Sequence, residues 1–362
     1  MKYELTSQTI LSSTGSTLYQ IRALKDIPLY GVTVGDLGGF VESEANLSQD
    51  GDCWVSGEAQ VFNRAQVLDG AHVYENAWVC GNSSVSQCAL IYGDAKIFGD
   101  AKVYGYAQVY SDALVFENAQ VYGEAQVFEN AQVYGKARVY ENAQVYGSAS
   151  VLENAKASGK AQVYGEAHVY GDAKVYGLAR VYDVARVSGE AQVYNEAQVF
   201  CHAKLYGKVH INEKAQVGGG AQVFGSARVS GESKLLDRVH VCGDTRIHGG
   251  AVIRDQAIIH GEAQVGGDAQ VSGVISLCDR ALVNGKAKIY SSSDVVWFSN
   301  VGSENGTLTV FTSTSDELLV TRGCFSGSVS DFLQKSKRVH SLQIQKEYIL
   351  LIQMATLKLS RV

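Results

Sequence analysis

Proline is almost absent from this chain, which has one proline in 362 residues beside 38 glycines. Chains that consist mostly of irregular loops normally use both residues, because proline and glycine serve different turn geometries. The excess of glycine alone therefore indicates one backbone need that recurs many times, such as a tight corner with positive φ.

An excess of positive charge is also lacking. Lys and Arg number 31 against 37 Asp and Glu, which gives a formal charge of -6. No global positive field exists to attract nucleic acid or anionic lipid, so neither partner is expected. Residues 1–20 lack a basic start followed by an apolar core, and no apolar run approaches the roughly 20 residues that span a bilayer. The seven cysteines are an odd number without paired short spacings, which fits reduced thiols. We expect a cytoplasmic protein.

A six-residue register runs through most of the chain. Aliphatic residues fall at every sixth position from Val55 to Val295, and the one lapse in size is Ala157. A small residue, usually alanine, precedes nearly every aliphatic residue by two positions, with Val209, Val239 and Ile275 as larger variants. Both side chains therefore point to the same side of a short strand. The residues that follow are Gly, Glu, Asn or Asp, which tolerate tight corners. Because a helix would scatter these valines around its circumference, the register predicts a solenoid of short parallel strands.

The pattern aliphatic, x, x, x, small, x resembles the hexapeptide repeat of left-handed parallel β-helices. The resemblance implies an all-β solenoid in which three hexapeptides make one triangular coil of 18 residues. It also implies a left-handed winding, against the general preference of parallel crossovers. About 14 such coils at ~4.8 Å each would extend for roughly 65 Å. The stretch Gly35 to Val55 is similar to the opening of bacterial and phage hexapeptide-repeat proteins of the YdcK-like type, which are often labelled transferases from the fold alone.

The two ends differ in composition from the register. We predict a small N-terminal β cap over residues 1–40, the β-helix over 41–295 and a C-terminal ββαα cap over 296–362. From Leu47 to Val55 the spacing is eight residues, so regular winding is expected to start there. In the C-terminal cap, Ser330 is the predicted N-cap of the first helix. The second helix is predicted over 346–360, with its apolar residues docked on the last coil.

Sorting outward residues into 18-residue coils produces one column of aromatic residues directly after the inward aliphatic position. Its members are Tyr74, Tyr92, Tyr110, Phe128, Tyr146, Tyr164, Tyr182 and Phe200. Three interpretations stay open: a ladder that stabilises neighbouring coils, a surface for self-association, and a stripe that binds a glycan or another protein.

Basic residues form two further columns, with Arg138, Lys156 and Lys174 on one face and Arg186 and Lys204 below His168 on another. Acidic residues lie close to these columns in sequence, which favours a solvated surface over an anion site. Cys242, His260 and Cys278 occupy equivalent positions on three successive coils. The two cysteines would be ~9.6 Å apart, which is wide for one tetrahedral zinc ion. We therefore expect no metal and no cofactor.

The catalytic candidates rest on residue type alone. Acyltransferases that share this coil usually have loops that interrupt the register and a histidine beside a cleft between subunits. Here the register is uninterrupted, so the sequence offers no wall for such a cleft. The histidine candidates are His210, His240, His248 and His260, and Cys324 with His340 is a separate pair in the C-terminal cap. An imidazole base needs an orienting partner and a dry pocket, and neither is visible.

Nearly the same twelve residues occur three times, at 116–127, 128–139 and 140–151, and 152–163 resembles a decayed copy. Twelve residues keep the register but complete only two thirds of a coil. Each duplication should therefore turn everything downstream by a third of a revolution and lift it by roughly 3 Å. A site built from one column would be scrambled each time, whereas a shaft would only lengthen.

The sequence thus favours a non-catalytic rigid scaffold, a spacer or a self-associating protein. A homo-oligomer is expected, with a trimer by resemblance. Two alternatives stay open. One is an acyltransferase-like enzyme whose site lies between coils of adjacent subunits, and the other is a glycan-binding or protein-binding module that uses the aromatic column.

Overall fold

The computed structural model describes residues 1–360. It divides into two compact units, Met1–Ser188 and Gly189–Val362, which are described separately as unit 1 and unit 2. Both units consist mainly of parallel strands of two residues, and one such strand occurs in every six residues of sequence.

Unit 1 begins with antiparallel strands. Tyr3–Leu11 pairs with Thr17–Ala23, which pairs in turn with Leu37–Val41, and short 3-10 helices cover Pro28–Tyr30 and Glu44–Asn46. Val41 then pairs in parallel with Val61. Leu47 bridges to Val67, rather than to Ala65, which an 18-residue spacing would select. The two extra residues between Leu47 and Val55 are therefore accommodated in this irregular first turn, before the regular turns start at Val55.

The turns of unit 1 build three parallel sheets, each of which takes one strand per turn. Sheet A contains Gln60–Val61, Trp78–Val79, Lys96–Ile97, Leu114–Val115, Gln132–Val133, Ser150–Val151, His168–Val169 and Arg186–Val187. Sheet B contains Trp54–Val55, His72–Val73, Leu90–Ile91, Gln108–Val109, Gln126–Val127, Gln144–Val145, Gln162–Val163 and Arg180–Val181. Sheet C contains Gln66–Val67, Ser84–Val85, Lys102–Val103, Gln120–Val121, Arg138–Val139, Lys156–Ala157 and Lys174–Val175.

The turns of unit 2 follow the same plan. Sheet D contains Lys204–Leu205, Gln222–Val223, His240–Val241, Ile258–Ile259 and Ser276–Leu277. Sheet E contains Gln198–Val199, Gln216–Val217, Lys234–Leu235, Val252–Ile253, Gln270–Val271 and Lys288–Ile289. Sheet F contains Gln192–Val193, His210–Ile211, Arg228–Val229, Arg246–Ile247, Gln264–Val265 and Leu282–Val283.

One hexapeptide explains how the sequence produces these turns. Ala119 and Val121 are fully buried, while Gln120 between them lies half-buried on the outside. The corner residue, two places after the valine, has a positive φ, which is 73° at Gly123 and 58° at Glu117. This recurring corner accounts for the excess of glycine.

The predicted all-β solenoid with 18-residue turns is confirmed. In sheet C, for example, Val121 lies between Val103 and Val139 in parallel register, at a spacing of 18 residues on either side. Each turn places one strand in each of three sheets, as a three-sided coil requires. The left hand of the winding stays a prediction.

Unit 2 ends in an antiparallel sheet, which we call the C-terminal sheet, followed by two helices. The strands are Val295–Val301, Gly306–Thr312, Leu318–Arg322 and Phe325–Ser328, and the helices are α1, Val329–Val339, and α2, Leu342–Leu359. The sequence predicted strands followed by two helices, and this order is confirmed. Four strands form where two were predicted, because Gly302 and Gly323, both with positive φ, close two further hairpins.

Two details of the predicted helices are wrong. The N-cap of α1 is Ser328, whose Oγ accepts the amide N–H of Asp331, and Ser330 lies inside the first turn. Helix α2 begins at Leu342, because the Ser341 hydroxyl caps the amide of Ile344 ahead of the predicted start. Neither helix is a membrane span: within residues 1–360, none combines the required length with the required apolar character.

The expected docking of α2 on the last coil is also wrong. Alternate residues of Gly306–Thr312 face opposite sides of the C-terminal sheet. Thr309 accepts the amide N–H of Leu282 in the last turn, whereas Leu308 and Val310 pack with Phe332 of α1 and Tyr348 and Ile352 of α2. The sheet contacts the coil, and the helices pack on the sheet.

Candidate functional site

The predicted aromatic column is a ladder of stacked rings in unit 1. Ring centroids lie 4.8 to 5.0 Å apart, with interplanar angles of 10° or less, along Tyr74, Tyr92, Tyr110, Phe128, Tyr146, Tyr164 and Tyr182. The eighth predicted member, Phe200, belongs to unit 2, where its ring lies over Gly218, so that a Cβ on this glycine would be 2.3 Å from the ring. In the ladder each ring covers the face of its neighbour, and mainly the ring edges face outward.

His72 and Tyr30 close the N-terminal end of this ladder. The His72 ring stacks on Tyr74 at 4.5 Å, the Tyr30 ring lies on His72 at 4.1 Å, and Nε2 of His72 is 2.8 Å from Oγ of Ser56. Burial lowers the pKa of His72 to about 4. Burial, with the neighbouring Tyr74, raises the pKa of Tyr92 to about 12. Both shifts favour the neutral side chain, so these ladder residues are uncharged at neutral pH.

Two further ladders were not predicted from the sequence. Phe98, Phe116 and Tyr134 stack after sheet A, and Tyr104, Tyr122 and Tyr140 stack after sheet C, with centroids 4.7 to 5.0 Å apart. They occupy the same hexapeptide position as the first ladder. Examining that position in all three columns, rather than in one, would have found them. Stacked rings therefore border all three sheets of unit 1.

Polar side chains also bond from one turn to the next in unit 1. Nε2 of Gln144 donates to Oε1 of Gln126, and Nε2 of Gln162 donates to Oε1 of Gln144, both at 3.0 Å. Corner glutamates accept the corner amide N–H of the following turn at 2.5 to 2.8 Å, in the pairs Glu117–Gly135, Glu129–Gly147, Glu141–Gly159 and Glu153–Gly171. The outward residues thus reinforce the stacking of turns.

The first basic column lies along one sheet of unit 1. Arg138, Lys156 and Lys174 follow one another in parallel register in sheet C, and His168 lies opposite Arg186 in sheet A. Lys204 is in unit 2, opposite Gln222 in sheet D. Arg138, Lys174 and Arg186 are exposed, in keeping with solvated charges.

Cys242, His260 and Cys278 follow successive strands of sheet D, which are in parallel register at 18-residue spacing. Nε2 of His260 is 3.1 Å from Oγ of Ser276, so a hydroxyl occupies this ring nitrogen. Burial raises the pKa of both thiols, which disfavours the thiolate that zinc requires. Within residues 1–360, no three His, Cys, Asp or Glu side chains are grouped closely enough to hold a metal ion.

The remaining histidine candidates lie on sheet surfaces. The His248 ring covers Gly266, where a Cβ would be 2.0 Å from Cε1. His210 makes an edge contact with Tyr194, and burial together with Arg228 lowers its pKa. His240 belongs to a strand of sheet D, between Gln222 and Ile258. Each of these rings is explained by local packing or strand register.

Cys324 and His340, the candidate pair of the C-terminal cap, lie on the wall of one cleft. This cleft of about 180 Å³, which we call the C-terminal cleft, is formed by the C-terminal sheet, α1 and α2. Nδ1 of His340 is 3.2 Å from Oγ of Ser336. A catalytic imidazole beside a thiol is usually oriented by a carboxylate or amide, and here the nitrogen contacts a hydroxyl instead. The cleft also contains Arg322 and Lys335, which the sequence analysis did not single out.

Comparison with known proteins bears on the repeat. Residues 131–147 match a family model described as the YdcK Beta solenoid repeat. The matched segment contains Gln132–Val133, Arg138–Val139 and Gln144–Val145, one strand from each of sheets A, C and B. No curated protein matches the chain. The predicted resemblance is confirmed: the chain is a parallel β-solenoid, and its repeat is similar to that of YdcK-type proteins.

Proposed function

We propose that this protein is a non-catalytic scaffold or spacer. The main support for this proposal is the placement of the twelve-residue duplications. Gln120, Gln132 and Gln144 are equivalent residues of the three copies, and they lie in sheets C, A and B. Each copy therefore presents the same residue on a different face of the solenoid.

The corner bonds support the same proposal. Glu117, Glu129 and Glu141 are also equivalent residues, and each accepts the amide N–H of the glycine 18 residues later. The duplicated segment thus makes the same stabilising contact whichever face it occupies. A binding site built from one column would lose its arrangement at each duplication, while a spacer would keep its function.

We propose in addition that the protein associates with copies of itself through α2. The outer face of this helix exposes Leu350, Met354 and Leu357 by 64%, 59% and 66%. Residues 349–357 contain no charged side chain. Such a patch meets its own copy without like-charge repulsion and offers no counter-charge to an anionic partner, and homodimer interfaces are typically more apolar than other surfaces.

The aromatic ladder is a weaker candidate for the contact. Glycan binding to aromatic residues uses ring faces, and here the neighbouring rings cover them. The acyltransferase alternative would need a histidine beside a subunit cleft, and His248 and His260 are both engaged by packing or hydrogen bonding. For location we propose the cytoplasm, since the seven cysteines are an odd number without paired short spacings, which fits a reducing compartment.

Two deletions test the spacer proposal. Removing 128–139 takes out one duplicate and turns the downstream faces, whereas removing 128–145 takes out one whole turn and keeps the faces aligned. We expect both variants to fold, by circular dichroism, and to keep the number of subunits that sedimentation equilibrium gives for the full chain. If the 18-residue deletion folds and keeps its number of subunits but the 12-residue deletion loses either, the faces carry specific information and the spacer proposal fails.

Charge substitutions test the contact. We expect Leu350→Glu combined with Leu357→Glu to convert the oligomer to a monomer. Leu178→Glu, at a residue of unit 1 that is 52% exposed, is the matched control and should leave the mass unchanged. A monomeric wild-type protein, or an unchanged mass in the α2 variant, would contradict self-association through α2.

A further inference from the structure

The C-terminal cleft contains a buried cation whose hydrogen bonds are incomplete. The Arg322 side chain is 10% exposed. Its Nη2 donates to the Val301 carbonyl at 3.1 Å, but its buried Nε has no hydrogen-bond partner in the described part of the chain. A guanidinium has five N–H donors, and an unmade bond from a buried charged donor is costly. The buried Nε is closed to solvent, so an acceptor from outside the protein would meet the guanidinium at its Nη atoms, where Arg322 lines the cleft.

Glu304, the acid paired with Arg322, compensates little of the guanidinium charge. The Glu304 carboxylate is 3.8 Å from Nη1 and its side chain is 82% exposed. An ion pair of this length in contact with solvent contributes little. The chain also leaves room for the guanidinium, because a Cβ on Gly306 would lie 2.5 Å from Nη1.

Apolar surfaces and a second cation complete the lining. The Phe325 and Phe332 rings lie 5.3 Å apart, and the Phe332 and Tyr348 rings lie 5.0 Å apart. Nζ of Lys335 is 5.3 Å from the Phe325 ring centroid. Arg322 and Lys335 outweigh Glu304 by one positive charge. The cleft thus combines an aromatic wall with a site for a single negative charge.

The size of the cleft limits the ligand. An apolar cavity of roughly 150 Å³ in another protein holds benzene. The volume of about 180 Å³ is therefore enough for one ring or a short aliphatic chain together with a carboxylate. We propose that the C-terminal cleft binds a small organic carboxylate, which accepts N–H groups from Arg322 and packs its apolar part against Phe325 and Phe332. This site is additional to the scaffold function.

Saturation-transfer NMR on the full chain tests the proposal, with benzoate as the probe and neutral benzamide as its match in shape. We expect saturable benzoate binding that is about tenfold or more tighter than benzamide binding, since a charge-assisted hydrogen bond contributes more than a neutral one. Equal binding of the two probes would overturn the proposal. Inorganic phosphate has no observable proton, so its binding is measured by displacement of benzoate. Displacement that shows phosphate to bind as tightly as benzoate would also overturn the proposal, because the aromatic wall would then contribute nothing.

Three variants locate the site. Arg322→Gln should weaken benzoate binding about tenfold or more. Glu304→Gln should strengthen it a few-fold, because it removes a competing carboxylate. Arg338→Gln removes the same charge as the first variant from an exposed position of α1 outside the cleft, and it should change nothing. Circular dichroism checks that Arg322→Gln folds. If it does not, the sign of the Glu304→Gln effect decides: unchanged or weaker binding would refute the proposed site.

Discussion

Units 1 and 2 share one backbone repeat but differ in the balance of outward contacts between neighbouring turns. Unit 1 has long ring ladders, such as Tyr74 on Tyr92, and glutamine pairs such as Gln126 with Gln144. Unit 2 stacks Tyr206 on Phe224 and adds ion pairs between corners 18 residues apart, namely Lys208–Glu190, Lys214–Glu232 and Arg280–Glu262. The inward alanine and valine positions are buried in both.

The comparison shows that the interior and the corner define the turn, while the outward position is free to vary. The energies of the two outward devices differ. A stacked ring pair contributes roughly 0.5 to 1.5 kcal/mol beyond its buried area. The paired side chains of unit 2 are 57% to 74% exposed, and such pairs contribute about 0 to 1 kcal/mol. Unit 1 should therefore depend more on its surface residues than unit 2.

The largest predicted loss of stability comes from a charge in the interior, and it should be the same in both units. Val121→Asp and Val223→Asp each put an unpaired carboxylate into the buried interior, and we expect a loss of more than about 4 kcal/mol in the free energy of unfolding. The controls Gln120→Asp and Gln222→Asp change the outward neighbour in the same strands and should cost less than about 1 kcal/mol. Urea denaturation measures both. A similar loss at inward and outward positions would mean that the interior does not define the turn.

Acid should weaken unit 1 through His72. Its pKa falls from 6.5 to about 4 in the folded chain, so below pH 6.5 the unfolded chain takes up the proton first. Stability that is complete above pH 6.5 should therefore decline as the pH falls towards 4, by at most ~1.4 kcal/mol per pH unit.

His72→Phe keeps a ring between Tyr30 and Tyr74 but cannot titrate. Hydrogen exchange at the amides around His72, measured in both proteins, isolates this contribution. If the variant shows the same acid dependence as the wild type, the decline does not come from His72.

Removing one ring from the first ladder should have a smaller effect. Tyr110→Ala breaks stacking with both Tyr92 and Phe128, and we expect a loss of about 1 to 3 kcal/mol. Tyr106→Ala is the control, because this tyrosine is 67% exposed, and its cost should stay within about 0.5 kcal/mol. Thermal denaturation compares the two. Equal effects would show that the ladder adds nothing to the backbone.

The smallest effect should come from the ion pairs of unit 2. Nε of Arg280 is 2.9 Å from a Glu262 oxygen, and both side chains are more than half exposed. Arg280→Ala should cost about 0.5 kcal/mol or less, and added salt should reduce that difference further. A loss as large as that of Tyr110→Ala would remove the energetic contrast between the units.

The amount that could be predicted differs along the chain. In the solenoid, the pair Ala119 and Val121 is enough to predict a strand, because few backbone structures fit a six-residue period. The six-residue register predicted the aromatic column that starts at Tyr74. It did not predict that Tyr30 and His72 stack on the N-terminal end of this column, since Tyr30 lies outside the register. In the C-terminal sheet, the register extended to Val295, the first residue of the antiparallel strand Val295–Val301, because a single aliphatic position does not show whether its strand pairs in parallel.

The sequence alone determined the parallel solenoid and the inward pair at each strand, because both follow from a six-residue spacing that a regular backbone repeats. The 18-residue turn, and with it the change of face at each duplication, came from the family resemblance. Only the tertiary structure decided that corner glutamates bond the next turn, that α2 packs on a sheet rather than on the coil, and that Arg322, Lys335 and His340 meet in one cleft. Those residues belong to different elements, and their distances depend on how the strands and helices pack.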